Sequence, residues 1–272
     1  MITNSRLFGL AAIALAAFVM GVSASAFAAT DGTCSGGSIA SGVYSNLNVS
    51  GLCTVDAGPV SVRNNLTVQA GGTLIASYGG TDKGPAASNL NITGNLYVLT
   101  GGILVLGCEP VNYVCVNDPD QAVGTYFTRD RVGGSIIAED ALVVIVHLSI
   151  VDQDVTVTGG GGGVSCAGSI GALGGSPPYG DFEDVIIGGN VSITGWQSCW
   201  LGFFRDTVAL NVDFNDNLTA DPDGNEMGTN SILGNLKCAG NSPTPQLGDS
   251  GGSLSNVFGR AHGQCASSGL VR

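Results

Sequence analysis

The sequence predicts an all-β fold, a disulfide-stabilised parallel β-helix (β-solenoid), and three observations carry that expectation. A short pattern recurs along the chain: a branched apolar residue sits three places before a small or polar anchor, usually Asn, and the anchor opens an alternating apolar/polar run. Its clearest copy is IIGGNVSITG, Ile186 to Gly195, anchored at Asn190. Aligned on it, the other anchors are Asn46, Asn65, Asn89, Ser135, Asp154, Asn211, Asn235 and, most degraded, Arg260. The second observation is the spacing of these anchors, 19, 24, 46, 19, 36, 21, 24 and 25 residues, a period of solenoid size interrupted by two large insertions. The third is the runs themselves, NLTV, GGTLIA, NITGNLYVL and GGILVLG, which read as period two, rich in Val, Ile, Leu and Thr and broken by Gly. Leucine-rich repeats need a fixed LxxLxL frame, and helical repeats need apolar residues three and four apart; neither is present.

One coil cannot bury its inward side chains alone, so coils stack, with strands about 4.8 Å apart. Roughly nine to ten coils then make a rod on the order of 45 Å long. Leu47, Val49, Leu66, Val68, Leu90, Ile92, Val191 and Ile193 are expected inside, with Thr67 and Ser192 facing out. The anchor Asn is a turn residue whose amide bonds its equivalent one coil away and the local backbone. The NxS/T sequons at Asn48, Asn65, Asn91, Asn190 and Asn217 are by-products of that pattern and are not read as glycan sites.

Residues 1–28 read as a signal peptide: Arg6 supplies a positive start, Leu7 to Val19 an apolar stretch and Ala26-Phe27-Ala28 the small residues of a cleavage site. Residues 29–272 form one domain. All eight cysteines lie in it, as four disulfides formed in an oxidising compartment would require. Cys34 and Cys53, 19 residues apart, occupy equivalent places on neighbouring coils. Cys108 and Cys115 close the first insertion, 107–130, on itself. Cys166 of the second insertion, 159–184, is expected to bond Cys199, and Cys238 with Cys265 ties down the last coil. Connectivity is not proved by sequence, since eight cysteines allow 105 arrangements. A cysteine zinc site is disfavoured, because there is no CxxC pair and neither His147 nor His262 falls at ligand spacing from a cysteine pair.

The frame IGGNVSITG, the segment WQSCWLG at 196–202, the stretch ADPDGNE at 220–226 and the tail GNLKCAGNSPTPQLGDSGGS at 234–253 resemble a group of secreted actinobacterial parallel β-helix proteins. The resemblance implies a right-handed parallel β-helix similar to the pectin-lyase-like fold. It brings no activity with it, because scaffold kinship is not chemistry.

Four motifs carry candidate chemistry. GDSGG at 248–252 matches the nucleophile segment of chymotrypsin-like serine proteases, which makes Ser250 a candidate nucleophile. Its base would be His147, but that residue sits inside the apolar run VVIVHLS without the Ala-His-Cys context, and a Gly/Ser turn is the preferred meaning. DFNDNLTADPDGNE gathers carboxylates around a Gly turn, so Asp221, Asp223 and Glu226 form a candidate calcium site, calcium being the one cofactor the sequence suggests. A polysaccharide lyase would need Arg205 with Asp206, or Arg129 with Asp130 and Arg131, yet adjacent residues on a strand point to opposite faces. Trp196, Trp200 and Arg205 are candidate ligand-binding residues, the aromatics as a sugar platform; covering the core beside Cys199 is their preferred role.

The net charge of −12 argues against nucleic acid and anionic lipid, both of which demand a basic face. No stretch after residue 28 is long and apolar enough to span a membrane. The expectation is a secreted structural or binding protein associated with polysaccharide or cell wall, with no catalytic residue assigned. The alternative is a polysaccharide lyase or glycosidase working in an exposed groove. Oligomeric state is not legible.

Overall fold

A computed structural model describes residues 29–80, 88–248 and 252–268. The expected signal peptide and Ser250 lie outside the described residues. The chain is a parallel β-helix whose coils each carry three short strands. In one coil these are Val60–Val62 in a first sheet, Leu66–Val68 in a second and Thr73–Ala76 in a third. Every strand pairs in parallel with its equivalent one coil away. The strand Gly42–Val49 bends through two sheets, pairing with Val60–Val62 by its first half and Leu66–Val68 by its second. That joins the first and second sheets into 18 hydrogen-bonded strands, while the third has nine, one for every coil but the last described one.

The eight residues expected inside are all buried, in one continuous core running the length of the rod. The four disulfides are those the spacing suggests: Cys34–Cys53, Cys108–Cys115, Cys166–Cys199 and Cys238–Cys265.

Turn amides ladder the coils together. Asn190 Oδ1 accepts from both Asn211 N and Nδ2 at 3.2 Å, and Asn211 Oδ1 accepts from Asn235 N at 2.9 Å and Nδ2 at 3.1 Å. A second ladder is wholly buried: Asn217 Oδ1 accepts from Trp196 N (3.0 Å), its Nδ2 donates to Ile193 O (3.1 Å), and Asn241 Oδ1 accepts from Asn217 N (3.0 Å). Asn217→Ala leaves Trp196 N buried and unpaired, so chemical denaturation should show a loss of about 2 kcal/mol. A loss below about 1 kcal/mol, the size expected of a solvated turn, would count against the ladder.

Three expectations are corrected. The anchor of the third coil is Asn95, not Asn89: Leu66 pairs with Leu96, Asn65 Oδ1 accepts from Asn95 N and Asn95 Oδ1 from Ser135 N, both at 2.9 Å. Asn89 instead precedes the first-sheet strand Leu90–Ile92, whose NLNI imitates the NLYV six residues later. The second insertion ends earlier than 184, because Tyr179–Glu183 is a third-sheet strand paired with Val143–His147 on one side and Trp200–Phe204 on the other. The runs of the third sheet are not half-exposed: Thr73–Ala76, Ile103–Leu106 and Val143–His147 are buried on both faces. Their outward residues Ile75, Ile103, Val105, Val143 and Ile145 form a second apolar cluster, covered by Tyr113 of the first insertion and Ile170 and Leu173 of the second. A sheet buried on both faces loses its alternation.

Candidate functional site

Where this covering ends, the outward face of the third sheet turns polar. His147 closes the strand Val143–His147 and pairs in register with Glu183; two residues before Glu183 on its strand, and on the same face, stands Asp181. Glu109 enters from the first insertion, beside the Cys108–Cys115 disulfide, its N–H donating to Tyr113 O at 2.8 Å. The chain leaves the third sheet for that insertion through Gly107, at φ +84°, where a Cβ would stand 1.8 Å from His147 O. Only glycine fits there.

The imidazole of His147 is 1% exposed. Its Nε2 lies 3.1 Å from Asp181 Oδ2, its Nδ1 3.4 Å from Glu109 Oε1 and 3.8 Å from Glu183 Oε2, and the Tyr113 ring packs on it at 4.5 Å between centroids. Burial acts to lower the His147 pKa, but the hydrogen bonds to Asp181 and Glu109 and the charges of Asp181 and Glu183 outweigh it and raise the pKa to about 9. Burial, then the Asp181 charge, pushes Glu183 up, against His147 and Arg205 pulling it down. Burial and the Asp181 charge raise Tyr113 to about 12.

Arg205 completes the cluster from the next coil. It follows the strand Trp200–Phe204 with φ +56°, as Asp184 follows Tyr179–Glu183 with φ +55°. Its Nη2 lies 2.6 Å from Glu183 Oε2 and 3.6 Å from Glu109 Oε1, while Nε donates to Asp184 Oδ2 at 2.8 Å. One third of the Arg205 side chain is exposed, at the wall of a cleft of about 720 Å³ lined also by Glu183, Asn112, Trp200, Thr229 and Ser253. The Trp200 ring lies across Gly202, where a Cβ would fall 2.2 Å from Cη2, and stacks on Phe204 at 14° between planes.

Of the expected ligand-binding residues, Trp200 and Arg205 thus line one cleft, while Trp196 does not. It is fully buried in the core, with Nε1 donating to Ser198 Oγ at 2.7 Å. The calcium trio does not converge: among the described residues, the one group of three potential ligands with donor atoms within 4.8 Å of one another is Glu109, His147 and Glu183. Asp221 Oδ1 accepts from Asp223 N at 3.1 Å within its own turn, Asp223 pairs with Gln246, and Glu226 is buried on the third sheet in register with Gly202. Asp206 is fully buried, Asp213 faces outward from the second sheet and Asp216 sits at the corner after it, so they share no groove with Arg205. Arg129, Asp130 and Arg131 do meet in the wall of a second cleft of about 450 Å³, but there Asp130 is buried, its pKa raised by burial to about 7, and Arg131 is paired with Asp152 at 2.8 Å.

The sequence singled out His147 only as a base for Ser250 and set it aside, and it drew no attention to Glu109, Asp181, Glu183 or Asp184. A signal existed for two of them. His147 and Glu183 are 36 residues apart, the spacing of the anchors Asp154 and Asn190, which puts them in one column. No protein-family model, curated protein or solved structure matches this chain.

Proposed function

We propose that this protein is a secreted glycan-binding β-helix that takes extracellular or cell-wall polysaccharide in the third-sheet cleft, stacking a sugar ring on Trp200. The observation that carries the reading is the half-buried indole in the wall of a cleft that also presents Glu183, Arg205, Asn112, Thr229 and Ser253, beside the apolar Val111 and Phe204. An aromatic face takes the C–H side of a sugar, and flanking polar groups take its hydroxyls. Four disulfides fit an oxidising compartment, in keeping with an extracellular ligand.

The same geometry favours binding over hydrolysis. Glycosidase carboxyls stand about 5–5.5 Å or about 6.5–9.5 Å apart with the scissile bond between them. Of the clustered carboxylates only Glu183 lines the cleft, and Arg205 holds it at 2.6 Å, so no carboxyl pair brackets a bond there. A screen of soluble glycans and cell-wall fragments, run with and without calcium, tests the proposal. Trp200→Ala should weaken binding about tenfold, or about 1.4 kcal/mol. Equal affinity in that variant, or no glycan bound by the wild type, overturns it.

A further inference from the structure

We propose that Glu109, His147 and Glu183 form a three-ligand site for a divalent transition-metal ion, best fitted by zinc, whose fourth position opens towards the cleft. The inference does not depend on the cleft taking a sugar. Donors on a tetrahedron with bonds of about 2.1 Å stand about 3.4 Å apart. His147 Nδ1 is 3.4 Å from Glu109 Oε1 and 3.8 Å from Glu183 Oε2, and all three donor atoms fall within 4.8 Å of one another, so an ion fits among them once Glu183 turns from Arg205 and the two carboxylates draw in.

The surroundings are those a ligating histidine needs. Asp181 Oδ2 at 3.1 Å holds the proton on Nε2, so an ion displaces only the proton at Nδ1 and takes that nitrogen together with the two carboxylates beside it. Tyr113 packs on the imidazole and fixes its plane. Glu109 is held by a seven-residue disulfide loop, and His147 and Glu183 by paired strands, so three separate segments set the ligands rigidly.

The cluster around His147 is rich in carboxylates, with Glu109, Asp181 and Glu183 sharing one imidazole and one guanidinium. Asp181 is 6% exposed, and its other oxygen, Oδ1, is buried without any hydrogen-bond partner. Buried carboxylate oxygens left in that state are costly. Arg205 supplies part of the compensation from the cleft side, and it has a second partner to keep: Nε and Nη2 both contact Asp184, at 2.8 and 2.7 Å, when Glu183 turns to the ion. Glu183 and Arg205 line the cleft, which provides the entry path. Calcium is the poorer occupant, since it takes six to eight oxygens, whereas zinc accepts one imidazole and two carboxylates with a position left open.

Calorimetric titration of the chelator-treated, disulfide-intact protein with zinc chloride alone tests the site. One equivalent should bind, and His147→Gln and Glu109→Gln should each weaken binding at least a hundredfold. Asp181→Asn should weaken it about ten- to a hundredfold. A folding defect in those variants would also abolish binding, so the unmutated protein loaded with cobalt gives an independent readout: one hyperfine-shifted exchangeable imidazole proton, the Nε2–H held by Asp181. No stoichiometric zinc binding, zinc affinity unchanged in folded His147→Gln, or cobalt bound without a shifted imidazole proton would each overturn the proposal.

Discussion

Asp206→Asn is expected to stabilise the protein at pH 8 by about 1–3 kcal/mol, with little effect at pH 4. Asp206 occupies a rung of a buried column that Asn230 fills one coil later. Asn230 Oδ1 accepts from Asp206 N at 2.9 Å, and its Nδ2 donates to Phe203 O at 2.8 Å. Asp206 Oδ1 likewise accepts from Val185 N at 2.8 Å, but Oδ2 is buried with no partner. Phe182 pairs with Phe203, so its carbonyl is the one an amide at position 206 would reach. A carboxyl can make that bond only when protonated. Burial, with the charges of Asp181, Asp184 and Glu183, accordingly raises its pKa well above the usual carboxylate value.

The sign of the pH dependence follows. A group whose pKa is raised by folding contributes stability that is complete below its unfolded pKa and lost as pH rises through the folded one. Asp206 is raised, and Asp130, whose Oδ2 is also unpartnered, is raised to about 7. Wild-type stability should therefore fall as pH rises above about 4, with the Asp130 share of the fall ending near its folded value of about 7, and Asp206→Asn should flatten the remainder. At about 2–4 °C per kcal/mol for a domain of this size, thermal unfolding at pH 4 and pH 8 resolves the difference. A variant less stable than wild type at pH 8 would contradict the assignment.

Trp196→Ala should cost about 3–5 kcal/mol while leaving glycan affinity intact wherever the variant is folded. The indole is fully buried, its Cε2 and Cζ2 each 3.2 Å from where a Cβ on Gly180 would stand, and its Nε1 donates to Ser198 Oγ, which itself donates to Trp200 O at 2.7 Å. Removing it leaves a cavity in the middle of the coil and cuts that relay. Calorimetric unfolding beside a binding isotherm separates the two roles: stability loss for Trp196, affinity loss for Trp200. Equal affinity losses from both would show that the binding effect is merely structural.

The rod was legible because its periodic features are local. Turn amides, small residues at tight corners and β-branched strands recur at coil spacing, and cysteines one coil apart inherit that spacing. Asn89 misled because NLNI and NLYV satisfy the same pattern, and only hydrogen bonding between coils distinguishes them. His147 was hidden by the protein's own insertions. They bury the outer face of Val143–His147, so the strand reads VVIVH, and the alternation that marks an outward side chain disappears. Glu109 lies in a non-repeating loop, where no periodicity assigns its direction. Trp196 and Trp200 stand four residues apart in WQSCW, and their opposite fates depend on where the chain turns into the third sheet at Trp200.

The central claim is that the ligand sits on the outer face of the third sheet, against Trp200. The chain has two tryptophans, so Trp196→Phe leaves Trp200 as the sole emitter, reporting from the cleft wall. Titrating that variant with a glycan that binds in the screen should give a saturable change in tryptophan emission, with the midpoint that calorimetry reports. Calorimetric binding of the glycan with no change in Trp200 emission would place the ligand elsewhere and contradict the claim.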